Sequence, residues 1–297
     1  MKEDISDSEI RVIGGESAQP SQPEQPFPWR AVAIAAAAMA VIGLVAWLVW
    51  PKPIGDNEPM ETGVFEQEMV VTQAHPLSEW LAAMDTVSMC ATATRDITIN
   101  DIPLRVYLPL NSTPHLEVGY GVADHREEHI LFFQAADVRA DNKKIVGAFV
   151  LRGQPLSWGL SKRGYCAIID GKVTVGVADN SPLFEQATEK NGDFFRQYPL
   201  VDGGRLVENE LKNKSIRRAL CEIDGHIAVV ESQTTESLHD FAQALVDAGV
   251  QDAIYLVGST AMGWCVDTDG NETKRGLWDE RVYKNVSFIV WSLEVRG

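Results

Sequence analysis

The sequence predicts an α+β fold, a strand-rich mixed sheet domain with few helices that is preceded by one transmembrane helix. Three observations lead to this prediction: one long uncharged apolar run near the N-terminus, many short apolar runs separated by turn residues, and two segments with helical periodicity. Strands that outnumber helices and do not alternate regularly with them are typical of α+β domains. The chain has 297 residues, 45% of them hydrophobic, which is enough for a sizeable core.

The apolar run is AVAIAAAAMAVIGLVAWLVW at residues 31–50. At about 1.5 Å per residue a helix of this length spans roughly 30 Å, the thickness of a bilayer core. Trp47 and Trp50 lie where an interfacial aromatic belt is expected. A cleaved signal peptide is the alternative, but a long polar segment comes first and the run exceeds the usual length of about 7 to 15 residues. We therefore predict a single-pass anchor over residues 30–50 that contacts the inner membrane through residues 31–50.

The positive charges around this run predict its orientation. Lys2, Arg11 and Arg30 precede the run, whereas only Lys52 follows it closely. The positive-inside rule places the N-terminus in the cytoplasm and the C-terminal part outside. In a Gram-negative cell this predicts an inner (cytoplasmic) membrane protein whose folded domain is periplasmic.

Composition divides the chain into four parts. Residues 1–29 are polar and rich in Pro and Gln, as in a disordered cytoplasmic tail. Residues 30–50 are the predicted transmembrane helix, and residues 51–63, PKPIGDNEPMETG, form a short linker. Residues 64–297 form the predicted folded domain.

The formal net charge of −16 argues against nucleic acid as a partner, because phosphate contacts need clustered Lys and Arg. All four cysteines fall in the predicted periplasmic part: Cys90, Cys166, Cys221 and Cys265. An oxidising compartment would permit up to two disulfides, and four buried free thiols are an equally good interpretation.

The folded part begins with an amphipathic helix, predicted over residues 76–89, and continues mainly with strands. Apolar runs predict strands at 104–110, 115–122, 129–135, 144–151, 165–170, 172–177, 216–224, 226–232, 252–257 and 286–295. Asp170-Gly171 and Asp224-Gly225 predict tight hairpin turns. A second helix is predicted to begin at Thr235 as its N-cap and to end at Gly249.

The second half of the chain resembles the phosphodiester glycosidase domain family in the order of its motifs. RRALCEIDGHIAVVESQTTESLHDFAQALVDAGVQDAIYLVGST holds an Arg-containing strand, a Thr-led helix ending in Gly, and a buried strand leading into a small-residue loop. The resemblance covers roughly residues 140–295. It implies hydrolysis of a sugar-1-phosphate diester of the cell envelope.

The sequence departs from the family where the chemistry needs polar groups. The family's Asn-Gly-Gly-Phe-Phe corresponds to residues 146–150, with Val146 in place of the Asn. Ala219 stands in place of a Thr, and Val257 in place of the Asp of the family's Leu-Asp-Gly-Gly. A valine cannot act as an acid, a base or a ligand, whereas the glycines needed for the loop shapes are kept.

The resemblance implies a substrate-binding set but no catalytic residue. The predicted substrate-binding residues are Gly147, Arg218, Thr235, Gly258, Ser259 and Thr260. Arg218 is expected to face a pocket and to bind an anion, while Arg217 is expected to be a solvated surface charge. No metal and no cofactor are expected, since the His and Glu residues of ADHREEHI at 123–130 lie between strands. The tryptophans at 158, 264, 278 and 291 are expected to pack against the fold, although Trp264 could stack on a sugar ring.

Two functions follow from these observations. The first is a membrane-anchored periplasmic hydrolase of the phosphodiester glycosidase type. The alternative is a catalytically degenerate module of the envelope that binds a glycan or a protein.

Overall fold

The computed structural model describes residues 75–139, 142, 144–209, 213–283 and 286–293, which belong to one unit, Val70–Gly297. The predicted tail, transmembrane helix and linker lie outside the described residues, as do residues 64–74 of the predicted domain. No helix among the described residues is long and apolar enough to cross a membrane.

The described part is dominated by strands. Its helices are α1 (Ser78–Met84), α2 (Gly121–Asp124), α3 (Leu183–Glu189), α4 (Leu238–Asp247) and α5 (Glu280–Tyr283), with a 3₁₀ turn at Arg126–Glu128. The first strands are β1 (Ala91–Ile99), β2 (Ile102–Leu110), β3 (Thr113–Val118), β4 (His129–Gln134), β5 (Ala148–Leu151), β6 (Gln154–Trp158), β7 (Gly164–Ile169), β8 (Lys172–Val177) and β9 (Asp193–Gln197). The remaining strands are β10 (Pro199–Asp202), β11 (Arg205–Leu206), β12 (Arg218–Ile223), β13 (His226–Ser232), β14 (Asp252–Leu256), β15 (Gly263–Val266), β16 (Glu272–Arg275) and β17 (Ser287–Ser292).

The strands form three sheets. The largest has the order β1-β2-β13-β12-β14-β10-β11, and the two five-stranded sheets have the orders β16-β15-β4-β17-β3 and β6-β5-β9-β7-β8. The prediction of a strand-rich α+β domain is therefore confirmed. The prediction of a mixed sheet is wrong for the described strands, because their ladders are antiparallel. Hairpins account for the ladders between consecutive strands, such as β12 and β13, whereas other antiparallel ladders, such as that of β2 with β13, join strands far apart in the chain.

Both predicted hairpin turns are present. Asp170 and Gly171 have φ of 53° and 75°, and Asp224 and Gly225 have φ of 49° and 78°. Two successive positive φ values define a type I′ turn, whose twist matches that of the paired strands. The turns join β7 to β8 and β12 to β13.

The N-cap of helix α4 lies two residues after the predicted cap. Ser237 is the N-cap, and its Oγ accepts a hydrogen bond from the Asp240 amide at 3.0 Å. Thr235 is exposed and precedes the helix, so the prediction that it caps the helix is wrong. Gly249 ends the helix with φ of 94°, as predicted.

Two apolar layers hold the sheets together. One face of the seven-stranded sheet packs against α1 and α4, whose buried residues include Leu81 and Phe241. Its other face packs against inward residues of both five-stranded sheets, such as Phe133 and Phe149. Strands of all three sheets therefore share this second apolar layer.

Cys166, Cys221 and Cys265 are buried and Cys90 is half-buried, and within the described part of the chain no disulfide joins them. Three of the four positions therefore agree with the second interpretation given above, that of buried thiols. Burial raises the pKa of the Cys166 and Cys221 thiols, and it raises that of Cys265 to about 11. Buried neutral thiols of this kind pack as small apolar side chains.

Candidate functional site

Arg218 begins β12 and lies inside the protein, with 1% of its surface exposed. Its Nε donates to the carboxylate of Glu231, its cross-strand neighbour on β13. Its Nη1 donates to the carbonyl oxygens of Val257 at 3.2 Å and Ala261 at 2.9 Å. The guanidinium also lies 4.8 Å from the ring centre of Phe133. These internal contacts compensate its charge, so Arg218 does not face an open pocket in this structure.

Glu231 is shared by further polar groups. Its Oε1 is 3.0 Å from Nε of Arg275, and it accepts a hydrogen bond from the Tyr107 hydroxyl at 3.4 Å. Burial, and then the negative charge of Glu231, raises the pKa of Tyr107 far above its ordinary value. Tyr107 therefore stays protonated, and the cluster of Arg218, Glu231, Arg275 and Tyr107 forms a buried polar network rather than an acid–base pair.

The predicted small-residue loop is held to the main chain of its neighbours. A Cβ on Gly258 would lie 2.2 Å from the Ile216 carbonyl oxygen, so glycine is required for this close approach. Ser259 has φ of 56°, and its amide donates to the same carbonyl at 2.9 Å. Ser259 and Thr260 are exposed, and the Thr260 carbonyl accepts from the Leu277 amide.

The other predicted residues lie elsewhere. Gly147 has φ of 86° and packs against Arg196 of β9, with a built Cβ 3.2 Å from the Cβ of that arginine. Gly258 packs against Ile216, so the two glycines contact different segments. The structure thus brings Arg218 together with the loop at 257–261, and it places Gly147 beside Arg196 instead.

Arg217 was expected to be solvated but is buried, with 2% of its surface exposed. Its Nε donates to the Glu236 carbonyl at 3.0 Å and its Nη2 donates to the Asn213 carbonyl. These hydrogen bonds connect the segment before α4 with the segment before β12. Strand alternation alone did not predict this, because both flanking segments are irregular.

A second polar cluster lies beside Val146 and was missed by sequence reasoning. The Lys162 ammonium donates to the carboxylate of Asp137 and to Oε1 of Gln197 at 2.7 Å, and it lies 4.4 Å from the ring centre of Tyr198. The Val146 amide donates to the Asp137 carbonyl at 2.8 Å. Burial lowers the pKa of Lys162, while its side chain is 3% exposed and that of Asp137 is 32% exposed. Asp137 is thus the member of this cluster that solvent reaches.

An open groove of about 660 Å³ lies on the outer face of the β6-β5-β9-β7-β8 sheet, beside α3. Its floor includes Ala148 and Arg196, and Phe184 of α3 contributes to one wall. Trp158 lines the groove and is 66% exposed, so it lies at the surface and not in the core. By contrast, Trp264 is 3% exposed and stacks on Phe132.

The metal-like run at 123–130 does not assemble into a ligand cluster. His129 begins β4 and is buried, whereas His125 precedes the 3₁₀ turn. Within the described ranges, no group of three or more His, Cys, Asp or Glu side chains is placed to hold a metal ion.

Comparison with known proteins gives structural similarity alone. No protein-family model matches the chain, and no curated protein matches it in sequence. The catalytic domain of zebrafish N-acetylglucosamine-1-phosphodiester alpha-N-acetylglucosaminidase, in a form auto-inhibited by its pro-peptide, aligns with a TM-score of 0.48 and 13% identity over 70% of this chain and 85% of that chain. A hypothetical protein from Synechocystis aligns with a TM-score of 0.49 and 12% identity over 67% of this chain and 61% of that chain.

Proposed function

We propose that this chain is a membrane-anchored periplasmic binding module of the cell envelope that lacks glycosidase activity. The observation that carries the proposal is the closed environment of Arg218. Its guanidinium is occupied by Glu231 and by the carbonyls of Val257 and Ala261. Cleavage of a glycosyl phosphodiester needs a reachable cation for the phosphate and groups that transfer protons. Around Arg218 the cation is occupied, and Val257 supplies no carboxylate.

The anchor and the compartment are supported by the sequence. Residues 31–50 are apolar over the length of a bilayer core, and the cations before them exceed those close behind. A periplasm-dependent reporter enzyme fused after Gly297 tests the orientation. An active reporter is expected, and a reporter active only as a cytoplasmic fusion would contradict the orientation.

Hydrolysis of a sugar-1-phosphate diester is the second candidate, and the Lys162 cluster favours it. The Asp137 carboxylate is partly exposed and lies beside the segment at Val146 where the family motif falls. A carboxylate bonded to a buried ammonium could act as an acid or a base that replaces the lost Asn and Asp. In this case the Asp137 carboxylate would transfer the proton, and Lys162 would hold that carboxylate in position.

Substitutions at Asp137 and at Val257 distinguish the binding module from the hydrolase. The full-length chain in detergent micelles is incubated with chromogenic glycosyl phosphodiesters of several sugars, alongside Asp137→Asn and Val257→Asp variants. The binding module predicts no release above the blank for wild type and for Asp137→Asn. Release by wild type that falls at least a hundredfold in Asp137→Asn would support the hydrolase instead. Val257→Asp reports whether restoring the family's carboxylate suffices for turnover.

A further inference from the structure

The groove beside α3 combines apolar walls with a few polar groups, as small-molecule sites do. Its lining residues are Ala148, Trp158, Leu160, Asn180, Ser181, Pro182, Phe184, Glu185 and Arg196. None of these belongs to the predicted substrate-binding set. The groove is therefore distinct from the surroundings of Arg218, although Gly147 of the predicted set packs against its floor residue Arg196.

The exposed apolar surface of the groove is concentrated on one wall. Trp158 is 66% exposed and Leu160 is 65% exposed, although both are large apolar side chains. Exposed apolar surface next to a concave site is typical of a ligand contact. A flat indole of this kind can cover the apolar C–H face of a sugar ring, while the hydroxyl groups of the ring stay free for hydrogen bonds.

Polar side chains line the same groove. Asn180 and Glu185 are exposed at its rim, where amide and carboxylate groups can bond to hydroxyl groups. Ser181 is buried, and its Oγ accepts a hydrogen bond from the Leu183 amide at 3.3 Å. The rim thus offers two side chains of a kind that orients polyhydroxylated ligands.

Arg196 supplies a positive charge at the floor, and 2% of its surface is exposed. Its Nη1 donates to the carbonyls of Lys162 and Ala178, and its Nη2 donates to the carbonyl of Asp179. Among the residues that the structure describes, none accepts a hydrogen bond from its Nε. Within the part of the chain that the structure describes, no carboxylate forms an ion pair with it: Asp179 pairs with Arg163 at 2.8 Å.

Main-chain carbonyls satisfy hydrogen bonds but do not neutralise a full charge. Burial lowers the pKa of Arg196, and the negative charge of Asp179 opposes this only in part. The groove therefore holds one buried cation whose charge is incompletely compensated, facing one exposed carboxylate, Glu185, at the rim. A ligand that places one negative charge beside Arg196 would compensate this cation.

We propose that this groove binds an acidic saccharide, with a sugar ring on Trp158, a carboxylate directed toward Arg196, and hydroxyl groups bonded to Asn180 and Glu185. This inference rests on the proposed binding function, for which it names the site and the class of ligand. Nε is the donor atom of this guanidinium that remains without a partner among the described residues, and a carboxylate oxygen is a strong acceptor for such a charged donor.

Isothermal titration of the full-length chain in detergent micelles tests this proposal. The probes are a galacturonic acid oligomer, a neutral maltose oligomer of the same length, and glucose 1-phosphate. Trp158→Ala removes the sugar platform, and Leu156→Ala is its matched control, because Leu156 is an exposed residue of the same strand that does not line the groove. Glu185→Gln tests the rim without changing a buried residue.

The proposal predicts binding of the galacturonic acid oligomer at least tenfold tighter than that of the maltose oligomer or of glucose 1-phosphate. It predicts at least a tenfold loss of affinity in Trp158→Ala and unchanged affinity in Leu156→Ala. Glu185→Gln should weaken binding, because the neutral amide is a poorer hydrogen-bond acceptor than the carboxylate that it replaces.

Any of four results would overturn it: no binding of the acidic oligomer, equal binding of the neutral one, tighter binding of glucose 1-phosphate, or equal losses in the Trp158→Ala and Leu156→Ala variants. These outcomes are independent of the proposed absence of turnover, which is measured with phosphodiester substrates. A chain that binds the acidic oligomer and also hydrolyses phosphodiesters would refute the proposed function but keep this site.

Discussion

Arg218 and Glu231 face each other across β12 and β13 and form an ion pair in which both side chains are at least 96% buried, with exposures of 1% and 4%. Removing one partner would leave a charge in the interior without compensation, which costs about 3–5 kcal/mol. We therefore expect Glu231→Gln to lower the free energy of unfolding by about that amount in urea titrations.

The exposed pair of Arg105 and Asp96, 2.6 Å apart, is the matched control. Asp96→Asn should cost less than about 1 kcal/mol, because solvent screens an exposed pair. The double variant Arg218→Met/Glu231→Leu should cost less than the sum of the single changes, since the buried Arg218 charge is removed together with its partner and only the partly exposed Arg275 loses an ion pair. Equal costs at both pairs would contradict the assignment of Arg218 to the interior.

Gly258 is expected to be intolerant of any side chain. In Gly258→Ala the new Cβ would meet the Ile216 carbonyl at 2.2 Å, so the loop or β12 must shift. We expect a loss of about 1–3 kcal/mol in unfolding free energy, typical of overpacking. Gly121→Ala is the control, because no heavy atom lies within 4 Å of its built Cβ. A loss of unfolding free energy in Gly121→Ala as large as that in Gly258→Ala would contradict the close approach of Gly258 to the Ile216 carbonyl.

His129 should make stability depend on pH. Burial lowers its pKa, opposed by the nearby Glu117, whose Oε1 is 3.5 Å from Nε2. The unfolded chain then binds a proton more readily, with an ordinary histidine pKa of about 6.5. The contribution of His129 to the free energy of unfolding is present above about pH 6.5. It is lost as the pH falls from about 6.5 toward the lowered pKa of His129 in the folded state.

Urea titrations at several pH values measure this effect. The unfolding free energy of His129→Asn should fall less between pH 6.5 and the lowered pKa than that of wild type. Burial raises the pKa of Glu117, but its hydrogen bond to His115 and the charges of His129, His115 and Arg152 outweigh this and lower it, so its contribution to stability is lost in a more acidic range. Parallel pH profiles for wild type and variant would rule out a role for His129.

The thiols should differ in reactivity. Cys166 and Cys221 are buried with raised pKa values, Cys265 is buried with a pKa of about 11, and Cys90 is partly exposed. Since the thiolate is the reactive form, iodoacetamide at pH 8 should alkylate Cys90 first in the native chain and all four cysteines in urea. Peptide mapping by mass spectrometry measures this. Disulfide-linked peptides from an unreduced sample would contradict free thiols.

The sequence predicted the turns and the helix end, because these depend on the conformational preferences of single residues. Asp-Gly pairs fix type I′ turns by their φ preferences, and Gly249 ends α4 for the same reason. Thr235 was a plausible cap by residue type, but Ser237 is the residue whose hydroxyl reaches the amide three positions on. Residue type alone does not distinguish neighbouring cap candidates.

Long-range pairing could not be predicted in the same way. Lys162 and Asp137 are 25 residues apart and meet only when two sheets pack. One signal was available, because Asp137 follows the buried run of β4 closely, and a carboxylate after a buried strand often reaches a site. The groove had a weaker signal, since nothing in the sequence shows that Trp158 is exposed.

The most direct test of the central claim is the rate of product release from a chromogenic glycosyl phosphodiester by the full-length chain. The closed environment of Arg218 predicts a rate equal to the protein-free blank, in wild type and in Asp137→Asn alike. A wild-type rate well above the blank that is lost in Asp137→Asn, with the folded state intact by circular dichroism, would contradict it.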